Sequence, residues 1–294
     1  MEVRTRAELL SLLGSRHALD RAVTTGAWQR VLRGAYVRGG APADLTTRAC
    51  AARLVLPPRA LVADGSLLWL LGVDVLAQAD DAQLEVVVAR GAVVPARTGV
   101  RARTADLPRR DRATLHTTAG PVPVLRPVRA LADLLRRLPL AQAVVVADAA
   151  QHAGLCDAGT VLDELTRHHG GLRGVRCAQR ALELSDGRAE SPQESRTRLL
   201  LVLAGLFPVP QLDVHDPHGR WVARVDLGFP AARVAVEYDG LLPHSGREAF
   251  VHDRRRQNLL LGAGWLVLRY TAADLRLRPE LIVAQVRAAL LRAA

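Results

Sequence analysis

The sequence predicts a mixed α/β (α+β) chain of more than one domain. Three observations carry that reading: its length, apolar patterns that switch between helical and strand periods, and turn clusters that cut those patterns into blocks. The 294 residues fit about two domains on the usual length prior. With 49% apolar and 23% charged residues, the chain can bury a real core and is too apolar to be disordered. The patterns divide it into an N-terminal helix-turn-helix unit over 1–41, a mixed connecting domain over 42–186 and a C-terminal α/β domain over 187–294.

Thr5 or its neighbour caps a first helix over 6–13, stopped by Gly14; Ser15 caps a second over 16–23, finished by Gly26. Ala18, Leu19, Ala22 and Val23 form the apolar stripe of the second helix and leave Arg16, His17, Asp20 and Arg21 outward. Residues 28–38 read as two short strands turning near Gly34, with Arg30 and Arg33 on the hairpin. Helix, tight turn, helix and basic hairpin is the order of a winged helix-turn-helix, whose second helix enters the major groove while the wing touches phosphates. Arg16, His17, Arg21, Arg30 and Arg33 are therefore the expected DNA contacts.

The span 42–186 offers a core helix around Leu67–Leu71, too short for the roughly 20 apolar residues of a membrane span. It also offers a strand over 84–89 with a hairpin partner near 99–102, and helices from Pro127 to Leu135 and from Ala141 to Ala150. Asp133 and Asp148 stand isolated and read as solvated, and His168-His169-Gly170-Gly171 reads as a loop. Adjacent histidines project in different directions on regular structure, which makes them a poor ligand pair.

The net charge is +11, and all forty basic residues are arginine; lysine is absent. Any mechanism that needs lysine is thereby excluded. Arginine is permanently charged and grips phosphate with a planar fork, so the surplus favours a polyanionic partner, DNA rather than membrane. The three cysteines, Cys50, Cys156 and Cys177, form no Cys-x-x-Cys pair and no zinc-ligand spacing; they read as small buried residues of a reduced compartment. Met1–Arg6 mixes charge signs and leads into an amphipathic segment, which predicts no signal peptide and a cytoplasmic protein.

Beyond the turn cluster Ser185-Asp186-Gly187-Arg188, Ser191-Pro192-Gln193-Glu194 opens a helix that runs to about Ala204. In 221–227, alternation sets Ala223, Val225 and Leu227 on one face and Arg224 and Asp226 on the other; in 234–239, Glu237 and Asp239 share a face. If these strands pair, three carboxylates meet on one wall and repel each other unless a cation neutralises them. Hard oxygen ligands with open positions suit Mg²⁺ or Mn²⁺, which can hold a scissile phosphate and activate water. Glu194 reads equally as the third residue of a capping box reaching back to the Ser191 amide. A helix over 247–261 follows, on which Asp253, Arg256, Gln257 and Leu260 share a face. That spacing turns Arg256 toward the carboxylates and fans Arg254 and Arg255 outward, though Asp253 with Arg256 also reads as a plain helical ion pair. A strand over 264–270, with Trp265 as core packing, and a helix over 278–291 complete the chain.

Two resemblances sharpen these readings. Residues 15–23, Gly26, Arg30-Val31 and Arg33-Gly34-Ala35-Tyr36-Val37 resemble the N-terminal winged-helix domain of AbiEi-type antitoxins from abortive-infection systems, and 42–186 looks like the connecting domain of that family. From Glu190 to Leu291, the set Ser191-Pro192-x-Glu194, Asp226, Glu237-Tyr238-Asp239-Gly240, His244, Asp253-Arg254-Arg255-Arg256-x-Asn258 and Gly264-Trp265-x-Val267-Leu268-Arg269 resembles a bacterial domain family related to very-short-patch-repair (Vsr-like) endonucleases of the PD-(D/E)xK superfamily. That likeness implies a restriction-endonuclease-like core, a divalent metal and DNA cleavage. It implies Asp226 and Glu237 as metal ligands, Glu194 approaching from the first helix, and Asp239 where the superfamily usually carries its catalytic lysine. His244 would then transfer the proton and Arg256 contact the phosphate. Two functions from different classes follow: a Mg²⁺-dependent endodeoxyribonuclease, or a non-catalytic DNA-binding regulator of the antitoxin type with a toxin or a second copy of itself as partner.

Overall fold

The structure is a computed structural model; it describes residues 2–40, 44–73, 75, 83–92, 94, 99–216, 218–240 and 247–293, without the side chains of 247–253. The chain forms two compact units, Met1–Leu138 with Ala153–Gln179, and Pro139–His152 with Arg180–Ala294. Both mix helices and sheet. Among the described residues no helix is long and apolar enough to cross a membrane.

The first unit opens with β1 (Val3–Thr5), α1 (Arg6–Leu13), α2 (Arg16–Thr24), β2 (Trp28–Leu32) and β3 (Ala35–Arg38). Thr5 caps α1 as expected: its hydroxyl accepts from the Glu8 N–H at 3.1 Å and Glu8 returns a hydrogen bond to the Thr5 N–H at 2.7 Å. Gly14 closes the helix at φ 81°, and Ser15 caps α2 through the Ala18 N–H. The strands pair antiparallel in the order β1-β3-β2, and Leu9, Leu19, Trp28 and Tyr36 form the cluster beneath the two helices. The chain leaves β3 through Gly39, where a Cβ would lie 1.9 Å from the Gly26 carbonyl oxygen, so this crossing accepts only glycine.

Next come α3 (Leu45–Val55), β4 (Leu61–Val62), α4 (Asp64–Leu70), β5 (Leu84–Ala89), β6 (Val100–Ala105), β7 (Arg112–Thr117), β8 (Gly120–Leu125) and α5 (Pro127–Leu135). The five strands form a sheet of order β6-β5-β4-β8-β7. The buried cluster over it contains Leu32 and Ala35 together with Ala49, Ala52, Val62 and Val87. One core therefore runs across the expected boundary at 41. The expected hairpin of 84–89 with a partner near 99–102 is corrected: β5 and β6 pair parallel. Gly91 at φ 81° and Gly99 at φ 106° take left-handed backbone beside the two strands.

Helix α6 (Leu140–His152) belongs to the second unit, α7 (Ala158–His168) to the first, and the division falls within α8 (Val175–Glu183). The expected segment 42–186 thus contributes to both units. The second unit continues with α9 (Pro192–Leu203), β9 (Val209–His215), β10 (Trp221–Phe229), β11 (Val234–Tyr238), α10 (Arg247–Gly262), β12 (Leu266–Tyr270), α11 (Ala272–Leu277) and α12 (Pro279–Ala293). Its sheet has the order β12-β11-β10-β9, with β11 and β12 parallel. One buried cluster joins Leu260 of α10 and Trp265 to Val214, Val225 and Ala235; another joins Leu201 of α9 and Ile282 and Val286 of α12 to Leu227 and Val236.

Two readings of the middle span are overturned: Asp133 is 2% exposed and Asp148 is fully buried. His169 begins the expected loop after α7, and its ring is fully buried. Each carboxylate has partners 30 to 50 residues away, which local sequence does not reveal: Arg103 donates to Asp133 at 3.1 Å, and Arg198 to Asp148 at 2.7 Å. The cysteines are half-buried free thiols rather than core residues, and burial pushes the Cys156 thiol up to about 11. Burial also raises the Asp148 carboxyl, partly opposed by Arg198 and by the Asp186 N–H donating at 2.7 Å. Removing one member of such a pair strands the other charge. Asp148→Ala should therefore destabilise the chain by about 3–5 kcal/mol in denaturant titrations. Asp148→Ala combined with Arg198→Met should recover much of that loss; single-variant losses that simply add in the double variant would show that the pair is not one energetic unit.

Candidate active site

The second unit assembles its carboxylates by register. Leu227 pairs with Val236 and Gly228 with Ala235 in the antiparallel β10–β11 ladder, so the next pair outward is Asp226 opposite Glu237. The Tyr238 N–H donates to Asp226 Oδ2 at 2.9 Å, fixing that carboxyl against its neighbour strand. On the other side of β11, the parallel ladder places Arg269 beside Glu237, and Arg269 Nε donates to Glu237 Oε2 at 3.1 Å. Helix α10 delivers Arg256, which donates to Glu237 Oε1 at 2.6 Å and Oε2 at 3.1 Å and to the Arg224 carbonyl at 2.6 Å. The expected turn of Arg256 toward the carboxylates is the observed one.

Glu194 enters from the first turn of α9, whose cap is Ser191 accepting from the Glu194 N–H at 3.2 Å. Its side chain does not close a capping box. Glu194 Oε2 accepts instead from the Glu190 N–H at 3.0 Å and from Gln211 Nε2 at 2.8 Å. Gln211 lies on β9 at φ 49°, a left-handed backbone that costs a non-glycine residue of order 1–3 kcal/mol and clusters at functional sites. Neither Gln211 nor Arg269 was assigned a role from sequence. The parallel register of β11 and β12 is the signal for Arg269; nothing local announces Gln211.

The electrostatics single out Asp226. Its carboxyl is raised to about 6, first by burial and then by the charges of Glu194 and Glu237, against the hydrogen bond from Tyr238 and the field of Arg256. Glu237 and Glu194 are 5% and 9% exposed, so this is a wall of buried acids. Among the described residues, Asp226 Oδ1 and Glu194 Oε1 accept no hydrogen bond. Two hard oxygens held in place by their partners, beside a carboxyl whose ionisation is penalised, fit a hard divalent cation that takes water or phosphate for its remaining positions. They do not form a preassembled cage: among the described residues no three His, Cys, Asp or Glu side chains stand as a metal-holding group.

The other expected residues are placed as follows. Asp239 is exposed two residues beyond Glu237, and its N–H donates to the Tyr270 carbonyl at 2.8 Å, prolonging the ladder. His244 lies outside the described residues, as do the side chains of His252 and Asp253. Arg254 and Arg255 are exposed on α10, with Arg254 donating to Gln257 at 3.2 Å. In the first unit, Arg16, His17 and Arg21 are exposed on one stretch of α2, with 3.3 Å between Arg21 Nη2 and His17 Nε2. Arg30 lies over the Tyr36 ring at 5.8 Å, and Arg33 is half-buried at the hairpin turn.

No known family profile matches the chain. It is 30% identical over 277 residues to the uncharacterized protein MT2308 of Mycobacterium tuberculosis (strain CDC 1551 / Oshkosh), covering 92% of this chain and 96% of that one. The uncharacterized protein Rv2248 of strain ATCC 25618 / H37Rv matches with the same identity and coverage. The chain belongs to their family. Among solved structures, that of the RV2827C protein from the same organism aligns with this chain at a TM-score of 0.34 and 18% identity, over 74% of this chain and 79% of that one.

The raised Asp226 carboxyl has a consequence for stability. With a folded value of about 6 against an ordinary 3.8, the charged form is penalised by folding. The stability this group contributes is full below about pH 4 and is lost as pH rises through 6. Asp226→Asn should therefore stabilise the protein at pH 7.5 by on the order of 1–3 kcal/mol, and the gain should vanish as pH falls toward 4. Denaturant titrations across that range check it.

Proposed function

We infer that this protein is a divalent-cation-dependent endonuclease that hydrolyses phosphodiester bonds of DNA. In this reading the second unit is a restriction-endonuclease-like, Vsr-like core and the first carries a winged-helix-like DNA contact. The observation that supports it is the Asp226–Glu237 pair, with Glu194 close enough to raise Asp226. Asp226 and Glu194 would hold the cation through their unpartnered oxygens, with Glu237 completing the acidic wall. The bound cation supplies Lewis acidity to the phosphodiester and lowers the pKa of a water.

The chain's own residues do the rest. Asp226 must lose its proton to accept a cation, so cation binding weakens below about pH 6. Arg256 reaches from α10 to the acidic wall and can meet a phosphate oxygen there; a guanidinium stays protonated, so it stabilises charge and cannot act as a base. Asp239 would assist at the position where a lysine stands in the wider superfamily, and His244 would transfer the proton to the leaving group. Arg254 and Arg255, outward on α10, and Arg16, His17, Arg21, Arg30 and Arg33 of the first unit would contact DNA.

One observation favours a second reading. Both oxygens of Glu237 are engaged by Arg256 and Arg269, which neutralises a carboxylate that a nuclease would offer to its metal. A non-catalytic DNA-binding regulator of the AbiEi antitoxin type would have no further use for that charge. Incubation with supercoiled, mismatched and single-stranded DNA, in Mg²⁺, Mn²⁺ or chelator, separates the two. The nuclease reading expects nicking that chelator stops, that Asp226→Ala reduces at least ~100-fold without loss of fold, and that declines below pH 6. The regulator reading expects binding without cleavage, independent of metal and falling steeply with salt.

A further inference from the structure

The first unit holds an open cleft of about 760 Å³ between the end of β6, the turn before β7, α5 and the end of α7. Eight of its lining residues are arginines, against two aspartates. Its floor is Asp133, which accepts from Arg103 Nη2, Arg129 Nε and Arg136 Nη2, each at 3.1 Å. The buried ring of His169 supports it from behind, with Nε2 3.2 Å from Asp133 and Nδ1 3.1 Å from the Glu164 carbonyl. Burial opposes the charge on Asp133, but the His169 hydrogen bond and the fields of Arg103 and Arg129 outweigh it and hold the carboxyl well below the usual range. Asp64 accepts two further bonds from Arg103, at 2.8 and 2.9 Å, and Asp111 one from Arg129 at 2.8 Å. The inner guanidiniums are thus fixed in orientation before any ligand arrives.

They are not used up. Among the described residues, Nη1 of Arg103 and Nη2 of Arg129 have no partner, and the buried Nε of Arg136 has none. At the rim, Arg110 comes no nearer to a carboxylate than 3.8 Å, and Arg173 pairs with none among the described residues. Among those residues no Phe, Tyr or Trp lines the cleft, and His168 is its one ring. Preset forks with spare donors, a surplus of like charge and room for several anionic groups match a chain of phosphates.

We propose that this cleft binds an oligophosphate anion, either an inorganic polyphosphate or the phosphate tail of a nucleotide, through the spare donors of Arg103, Arg129 and Arg136 and the rim arginines Arg110 and Arg173. The site lies wholly in the first unit and does not depend on the acidic wall of the second.

Calorimetric titration of the full chain in EDTA with sodium tripolyphosphate tests it. The expected result is one saturable equivalent, with orthophosphate weaker. The double variant Arg110→Ala/Arg173→Ala, which leaves the inner ion pairs intact, should bind about tenfold or more weakly with an unchanged melting temperature. ATP titrated beside tripolyphosphate separates the sources: tighter ATP binding assigns a nucleotide, equal binding assigns the phosphate chain alone, and either supports the proposal. Absence of saturable tripolyphosphate binding overturns it, and so does binding that the double variant leaves unchanged. Duplex DNA binding that the double variant weakens, without tripolyphosphate binding, also overturns it and makes the cleft a backbone contact.

Discussion

A carboxylate taken out of water costs several kcal/mol unless something offsets its charge. In this protein the offset is arginine, because lysine is absent from the sequence. Asp64 is held by Arg103 and Arg137, Asp111 by Arg129, Asp133 by three guanidiniums, Asp148 by Arg198, Glu164 by Arg126 and Glu237 by Arg256 and Arg269. Several of these pairs, such as Arg103 with Asp64, Arg198 with Asp148 and Arg256 with Glu237, join elements far apart in sequence and act as cross-links within a unit as well as charge partners. Glu194 departs from the pattern. It is as buried as the others, yet its carboxylate takes only an amide side chain and a backbone N–H. The neighbouring Asp226 takes only a backbone N–H.

Local features of the fold were legible from the residues themselves. The Thr5, Ser15 and Ser191 caps and the stop at Gly14 are short-range chemistry within four residues, and the structure has them where the spacing puts them. The approach of Arg256 to Glu237 was legible for a similar reason, since helical spacing fixes which side of α10 the residue takes. Contacts that depend on long loops were not. Asp148 reads as isolated because its arginine is 50 residues distant, and Asp133, with Arg129 and Arg136 on its own helix, is buried through Arg103 from 30 residues away. The parallel direction of β5 and β6 was not legible either, since apolar patterning marks a strand without giving its direction. Helix α6 reads as part of a continuous middle segment, but its burial is in the second unit, where Asp148 pairs with Arg198.

The contrast between the two kinds of acid bears on how a site can be switched. A guanidinium partner is a permanent charge, and where three of them surround Asp133 the carboxyl is held well below the usual range, so that site stays ionised and carries no information. A buried carboxyl without such a partner is different: its charge appears only when pH rises or a cation arrives. Asp226, raised to about 6 by burial and by two acid neighbours, is in that condition. Placing an arginine against Asp226 would offset the penalty on its ionisation and would also remove the reason for a cation to bind. Glu237, clamped by Arg256 and Arg269 on one side and lying against Asp226 on the other, sits at the border between these two regimes. The acidic wall is thus one fixed ion pair beside Asp226, an acid whose charge is conditional. A cation responds to the conditional part.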